Sequence, residues 1–135
     1  MDRQRKFLIL GSIFGVTAVI LGAFGAHALK EMLSAEALAS FETGVKYQMY
    51  HALLLLFLGV EKRIQPKAKN AIYYLLLVGI IFFSFSIYLL ATNNYTNFDF
   101  KSIAFITPIG GTLIIIAWFV MLFSFFKKNK NKVSD

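Results

Sequence analysis

Ser102 to Phe126 reads SIAFITPIGGTLIIIAWFVMLFSFF, twenty-five residues without a charge. As a helix rising ~1.5 Å per residue it outreaches the ~30 Å hydrocarbon core of a bilayer. Asn70 to Phe98 is another uncharged run, and within it Ala71 to Ala91 reads as a second such helix. Phe7 to Leu29 makes a third, 23 residues without a permanent charge behind Arg3, Arg5 and Lys6. That layout also fits a signal peptide, with Ala26-His27-Ala28 imitating a cleavage site. The apolar run exceeds the ~7–15 residues of a typical signal core, so it reads as a retained span. The whole chain follows the same pattern: of 135 residues, 58% are hydrophobic and 16% charged, and mean hydropathy is +0.66. A soluble domain of this size could not cover so much apolar surface. A lipid bilayer is therefore the first expected partner.

One further run is too short by itself. Tyr47 to Val60 offers 14 uncharged residues, about 21 Å of helix, and must borrow length upstream. Ser34 is a good N-cap, and Leu33 with Leu38 occupies the positions of a hydrophobic staple, so the spacing predicts a helix from Ala35. Glu42 and Lys46, four apart with the acid first, are placed to pair along it. Residues 35–44 then either stand upright in one long helix or lie along the interface and bend at Gly44. The expectation is an all-α integral membrane protein, a single domain with a four-transmembrane-helix bundle at about 7–29, 35–60, 71–91 and 103–126.

Charge sets the expected orientation. Eleven of the 14 Lys and Arg residues fall at the two termini and in the loop Glu61 to Asn70; Lys30, Lys46 and Lys101 fall on the other side. This is the positive-inside pattern, and it predicts both termini cytoplasmic in a multi-pass protein of the cell membrane. The basic excess does not imply nucleic acid, because it collects between and after apolar runs instead of covering one face of a soluble core. The Lys-rich tail after Phe126 is expected to meet anionic inner-leaflet lipids. Tyr73, Tyr74 and Tyr88 near the ends of the third span are expected as interfacial anchors. The absence of cysteine removes disulfides, thiolate metal sites and cysteine catalysis.

Small residues mark the first helix at Gly11, Gly15, Ala18, Gly22, Gly25 and Ala26. Gly11-x-x-x-Gly15 and Gly22-x-x-x-Ala26 stack on a helix face and predict close backbone approach. The approach is either to the other helices of the same chain, the favoured reading, or to a second copy or another membrane protein. Gly110 and Gly111 after Pro108 predict a close approach or a kink in the fourth helix. Ser84 and Ser86 are expected to bond to carbonyls of their own helix.

The residues that could carry chemistry lie where the first helix ends and the second begins: His27, then Glu42, Thr43, Lys46, Tyr47, Gln48, Tyr50 and His51. Thr43, Tyr47 and His51 recur every four residues, and polar groups at membrane depth turn to a protein interior or a wet cavity, so this face is expected to point inward. It is either a hydrogen-bonded clasp or a site for a small ligand, an ion or a proton relay. A metal shared by His27 and His51 is poor geometry, the two lying ~9–21 Å apart in depth against metal–ligand bonds of ~2.1 Å. No metal or cofactor is expected. Motifs for hydrolysis or phosphoryl transfer are lacking, and no deep carboxylate suits a proton-coupled exporter.

LGAFGAHALK, Leu21 to Lys30, and FETGVKYQMYHALLLL, Phe41 to Leu56, resemble the two signature stretches of the small membrane family known as domain of unknown function 423, which includes the eukaryotic transmembrane protein 256. Leu54 departs from the Ala expected there. The resemblance implies a multi-pass bacterial plasma-membrane protein and carries no reaction, substrate or cofactor. The expected function is a non-catalytic binding or scaffold protein; the alternative is a small transporter or permeation element working through the His51 face.

Overall fold

A computed structural model describes residues 1–128, and these are helical nearly throughout. Lys130, Lys132 and most of the tail assigned to anionic lipid lie outside the described residues. Helix α1 runs Arg3–Met32 and starts where the Asp2 carboxylate accepts from the Arg5 backbone N–H at 2.8 Å. It opens into a single π turn over Gly25–Leu29. Leu33 then takes an extended conformation, and the Ser34 hydroxyl caps Ala37 N–H at 3.1 Å, so α2 begins at Ala35 as the staple predicts. Leu33 and Leu38 pack against the same small cluster of Leu29, Phe41 and Tyr88.

Helix α2, Ala35–Val60, is one uninterrupted α-helix of 26 residues with no break at Gly44. Glu61 leaves it extended, and Pro66 occupies the first turn of α3, Pro66–Ala91, where its missing N–H costs nothing. Helix α3 carries a second π turn, Ile81–Phe85. Two short 3₁₀ turns, Asn93–Tyr95 and Phe100–Ile103, lead to α4, Ile106–Phe126. The Tyr95 hydroxyl donates to the Met32 carbonyl and fastens this loop to the α1–α2 turn.

Three of the four long helices, α1, α3 and α4, are long and apolar enough to cross a membrane. In α2 the polar run from Lys46 to His51 dilutes the apolar content. The arrangement is a central α2–α3 pair flanked by α1 on α2 and by α4 on α3. One core unites all four, from Phe7, Leu10 and Phe14 of α1 through Leu55 and Leu58 of α2 and Ile72, Leu76 and Ile80 of α3 to Ile114 of α4. Large apolar side chains cover the outside as well, among them Ile13, Val16 and Ile20 on α1 and Phe119, Leu122 and Phe123 on α4. A surface of that kind suits lipid, not water.

Glycine sets how closely the helices approach. No described residue has a positive φ, so these glycines serve proximity and not unusual backbone angles. On the α1–α2 seam a Cβ at Gly11 would stand 2.9 Å from the Ala52 carbonyl oxygen, one at Gly25 3.1 Å from the Phe41 ring, and one at Gly22 3.4 Å from Val45. Gly15 is looser, 3.9 Å from the Ala52 methyl, and Ala26 is exposed. The glycine face of α1 is therefore spent on α2 of the same chain. Gly110 is tighter still: its Cβ would fall 2.4 Å from the Phe83 nitrogen and 2.8 Å from the Gly79 carbonyl oxygen, so α4 lies backbone to backbone on α3.

Candidate functional site

The polar run of α2 faces three different neighbours. Its inward stripe is Gly44, Gln48, His51, Leu55 and Leu58, while Thr43 and Tyr47 stand outside it, exposed. The expected inward face of Thr43, Tyr47 and His51 is corrected accordingly. Thr43 Oγ1 donates to the Ala39 carbonyl of its own helix at 3.0 Å.

Gln48 is the hub and is fully buried. Its Nε2 donates to the Phe14 carbonyl at 3.0 Å and to Thr17 Oγ1 at 2.7 Å, and its Oε1 accepts from the Tyr88 hydroxyl at 2.7 Å. A carbonyl can only accept, so the bond to Phe14 fixes which way the amide points. Thr17 passes its own proton to the Ile13 carbonyl at 2.8 Å. One side chain thus joins α1, α2 and α3, and Tyr88 is an internal partner instead of an interfacial anchor. Sequence reasoning missed Thr17 and Tyr88 as members. The available signal was a hydroxyl residue in the middle of the α1 apolar run, at the depth of Gln48.

His51 makes a second link. Its Nδ1 lies 2.7 Å from the Tyr47 carbonyl oxygen, and the Trp118 indole N–H donates to its Nε2 at 3.0 Å. Indole has no acceptor nitrogen, so Nε2 carries the lone pair and Nδ1 the proton: the imidazole is neutral. This bond is the polar bridge between α2 and α4, and Trp118 was not singled out from sequence. The Tyr47 ring stacks on His51, centroids 6.2 Å apart, and packs on Phe83 at 5.1 Å. Its hydroxyl takes no part in the link.

Two serine bonds complete the seams. Ser84 Oγ, in the α3 π turn, donates to the Gly44 carbonyl of α2 at 2.8 Å instead of to its own helix. Gly44 is required there, since a Cβ would stand 2.7 Å from the Tyr88 ring. Ser86 bonds to Phe83 of its own helix and also meets Thr107 Oγ1 of α4 at 2.5 Å. Among the described residues no buried side-chain nitrogen or oxygen lacks a partner.

The remaining sequence candidates lie apart from these links. Glu42, Lys46 and His27 are exposed, and the expected Glu42–Lys46 pair is not formed. Among the described residues the ion pair is Glu61–Arg63, at 2.7 Å. His27 sits in the α1 π turn, ten residues along the chain from Thr17 and some ~15 Å of helix above the Gln48 level. The two histidines cannot share a ligand.

The family model described as Protein of unknown function (DUF423) matches residues 21–111. The chain belongs to this family. The DUF423 match contains Gly44, Gln48, His51, Ser84, Tyr88 and Gly110, and stops short of Thr17 on one side and Trp118 on the other. Among similar proteins are a UPF0382 membrane protein of Staphylococcus saprophyticus, 42% identical over 92% of this chain and 99% of the relative, and one of Staphylococcus aureus, 41% identical over 92% and 98%. A UPF0382 membrane protein of Haemophilus influenzae is 38% identical over 92% of this chain and 96% of its own. No solved structure matches. The chain is a membrane protein of a small family whose function is uncharacterised.

Proposed function

We propose that this DUF423 protein crosses the cell membrane four times, with both termini cytoplasmic, and works as a non-catalytic binding or scaffold element. Support for the fourth span comes from register. Helix α2 lies antiparallel along α1, with Phe41 against Gly25, Val45 against Gly22, Ala52 against Gly15 and Gly59 against Leu8. Any depth reached by α1 between Leu8 and Gly25 is reached by α2, and of the polar side chains that lower its apolar content the two buried ones, Gln48 and His51, are hydrogen-bonded inside. Support for the orientation comes from charge. The described residues put nine Lys and Arg at the end bearing the termini, whereas Glu31, Glu36, Glu42 and Asp99 offset three lysines at the other.

The observation that carries the scaffold reading is the completed polar network. A permeation or proton path needs groups free to exchange partners, and Gln48 and His51 spend their bonding capacity on Phe14, Thr17, Tyr88, Tyr47 and Trp118. The test is reconstitution into liposomes with an interior pH dye and a potassium or pH gradient. Leak equal to that of protein-free liposomes is expected. Flux that depends on His51 and is lost in His51→Ala would replace this reading with the transporter.

A further inference from the structure

The end of the molecule that carries the termini holds a cavity of about 260 Å³ between the start of α1, the end of α2 and the start of α3. Arg3, Lys62 and Lys69 line it, and so does one acid, Glu61. It is several times the ~30 Å³ a water occupies. Lys69 is the unusual member: this lysine is nine-tenths buried, with its ammonium 5.9 Å from the Phe7 ring. Buried ammonium groups are rare unless paired. Its assigned partner is a neutral one, the Glu61 carbonyl at the carboxyl end of α2, which takes one of three N–H donors.

The carboxylate of Glu61 is otherwise engaged. Arg63 holds it through Nε at 2.7 Å, Nη2 at 2.8 Å and its own backbone N–H at 2.7 Å. Arg3 spends Nε on Asn70 Oδ1 at 3.0 Å, which leaves the two terminal nitrogens of its guanidinium. Three cations with donors to spare therefore border one cavity, and the one acid in its lining is already paired with Arg63. The cavity lies where α1 starts, α2 ends and α3 starts, the end of the bundle that the proposed four-span placement sets against lipid phosphates.

We infer that the Arg3, Lys62 and Lys69 cavity binds a phosphate group, supplied by the headgroup of an anionic phospholipid. Basic pockets between membrane helices are suited to this ligand, because the cations gain an anionic partner with several acceptor oxygens without leaving the interface. The inference needs the helices to stand in a membrane and is independent of the scaffold role: a transporter could hold the same lipid.

The full chain in mild detergent, titrated with phosphatidylglycerol, phosphatidylcholine or inorganic phosphate, gives the test by native mass spectrometry and thermal unfolding. Phosphatidylglycerol is expected to be retained and to raise Tm, and phosphatidylcholine, whose choline offsets the phosphate charge, is not. Arg3→Gln and Lys62→Gln should each weaken retention about fivefold, the effect of ~1 unit charge at a lipid surface. Lys127→Gln and Lys128→Gln remove the same charge at the same end but outside the cavity, and should leave retention unchanged. Stabilisation by inorganic phosphate alone, lost in the same two cavity variants, would assign the site to the free anion. Equal retention of both lipids, or equal loss in the Lys127 and Lys128 variants, would overturn the inference. Both cavity variants lie on exposed or half-exposed positions, so a folding failure is not the expected readout.

Discussion

Removing Gln48 would orphan groups on two other helices. In Gln48→Ala the Tyr88 hydroxyl loses its acceptor in a buried place, and a loss of ~1–3 kcal/mol is expected in detergent unfolding. His51 and Trp118 are the pair to examine by a double-mutant cycle, because they bond directly. His51→Phe and Trp118→Phe should each destabilise the fold, with coupling between them. Tyr47→Phe should stay within ~0.5 kcal/mol, as its hydroxyl carries none of the link. The sequence showed which residue types mattered but misplaced the face. Steps of four drift by about 40° each on a helix of ~3.6 residues per turn, so Thr43, Tyr47 and His51 spiral away from one another. The buried stripe instead alternates four and three, from Gly44 to Gln48, His51, Leu55 and Leu58. His51 belongs to both series, which is why it was found while Thr17, Tyr88 and Trp118, on partner helices, were not.

Helix contacts turn on the distance a missing side chain allows. Gly110→Ala drives a methyl into the Phe83 and Gly79 backbone, which cannot rotate aside, and should cost ~1–3 kcal/mol or more. Gly111→Ala, with its nearest neighbour at 3.6 Å, and Gly15→Ala, at 3.9 Å, should be nearly neutral in the same unfolding assay. Motif spacing alone gave Gly11 and Gly15 equal standing and could not grade them, because a repeat of small residues fixes a face and not the shape of what lies opposite. The staple at Leu33 and Leu38 was legible because caps are local. At the α2–α3 connection Arg63 holds the Glu61 carboxyl down to about 2 from an ordinary 4.5. A depressed folded value means the pair stabilises above pH 4.5 and its contribution is lost as pH falls from there towards 2. Tm measured across that window should drop in wild type, and Glu61→Gln should show a smaller drop over the same pH interval.

Across the whole molecule, the four-span reading fixes where each end must be. Reporters fused before Met1 and after Asp135 should both be cytoplasmic, and a tag within residues 92–98 should be external; ends on opposite sides would remove one span. Mass spectrometry of the mature chain should find Met1 to Ala28 still present. Composition and uncharged runs announced the membrane and three of the helices, and the Ser34 cap with its staple announced α2 at 35–60, whereas the straight course of residues 35–44 depended on packing that no single helix displays. A further consequence follows from the bond between Trp118 and His51. Trp118 is the only tryptophan, so the indole fluorescence of the protein comes from one residue at one seam. The unlabelled protein is its own optical probe of α2 against α4. Loss of the imidazole acceptor in His51→Phe should move that emission to the blue, and any condition that parts the two helices should register in the same signal, in detergent or in vesicles alike.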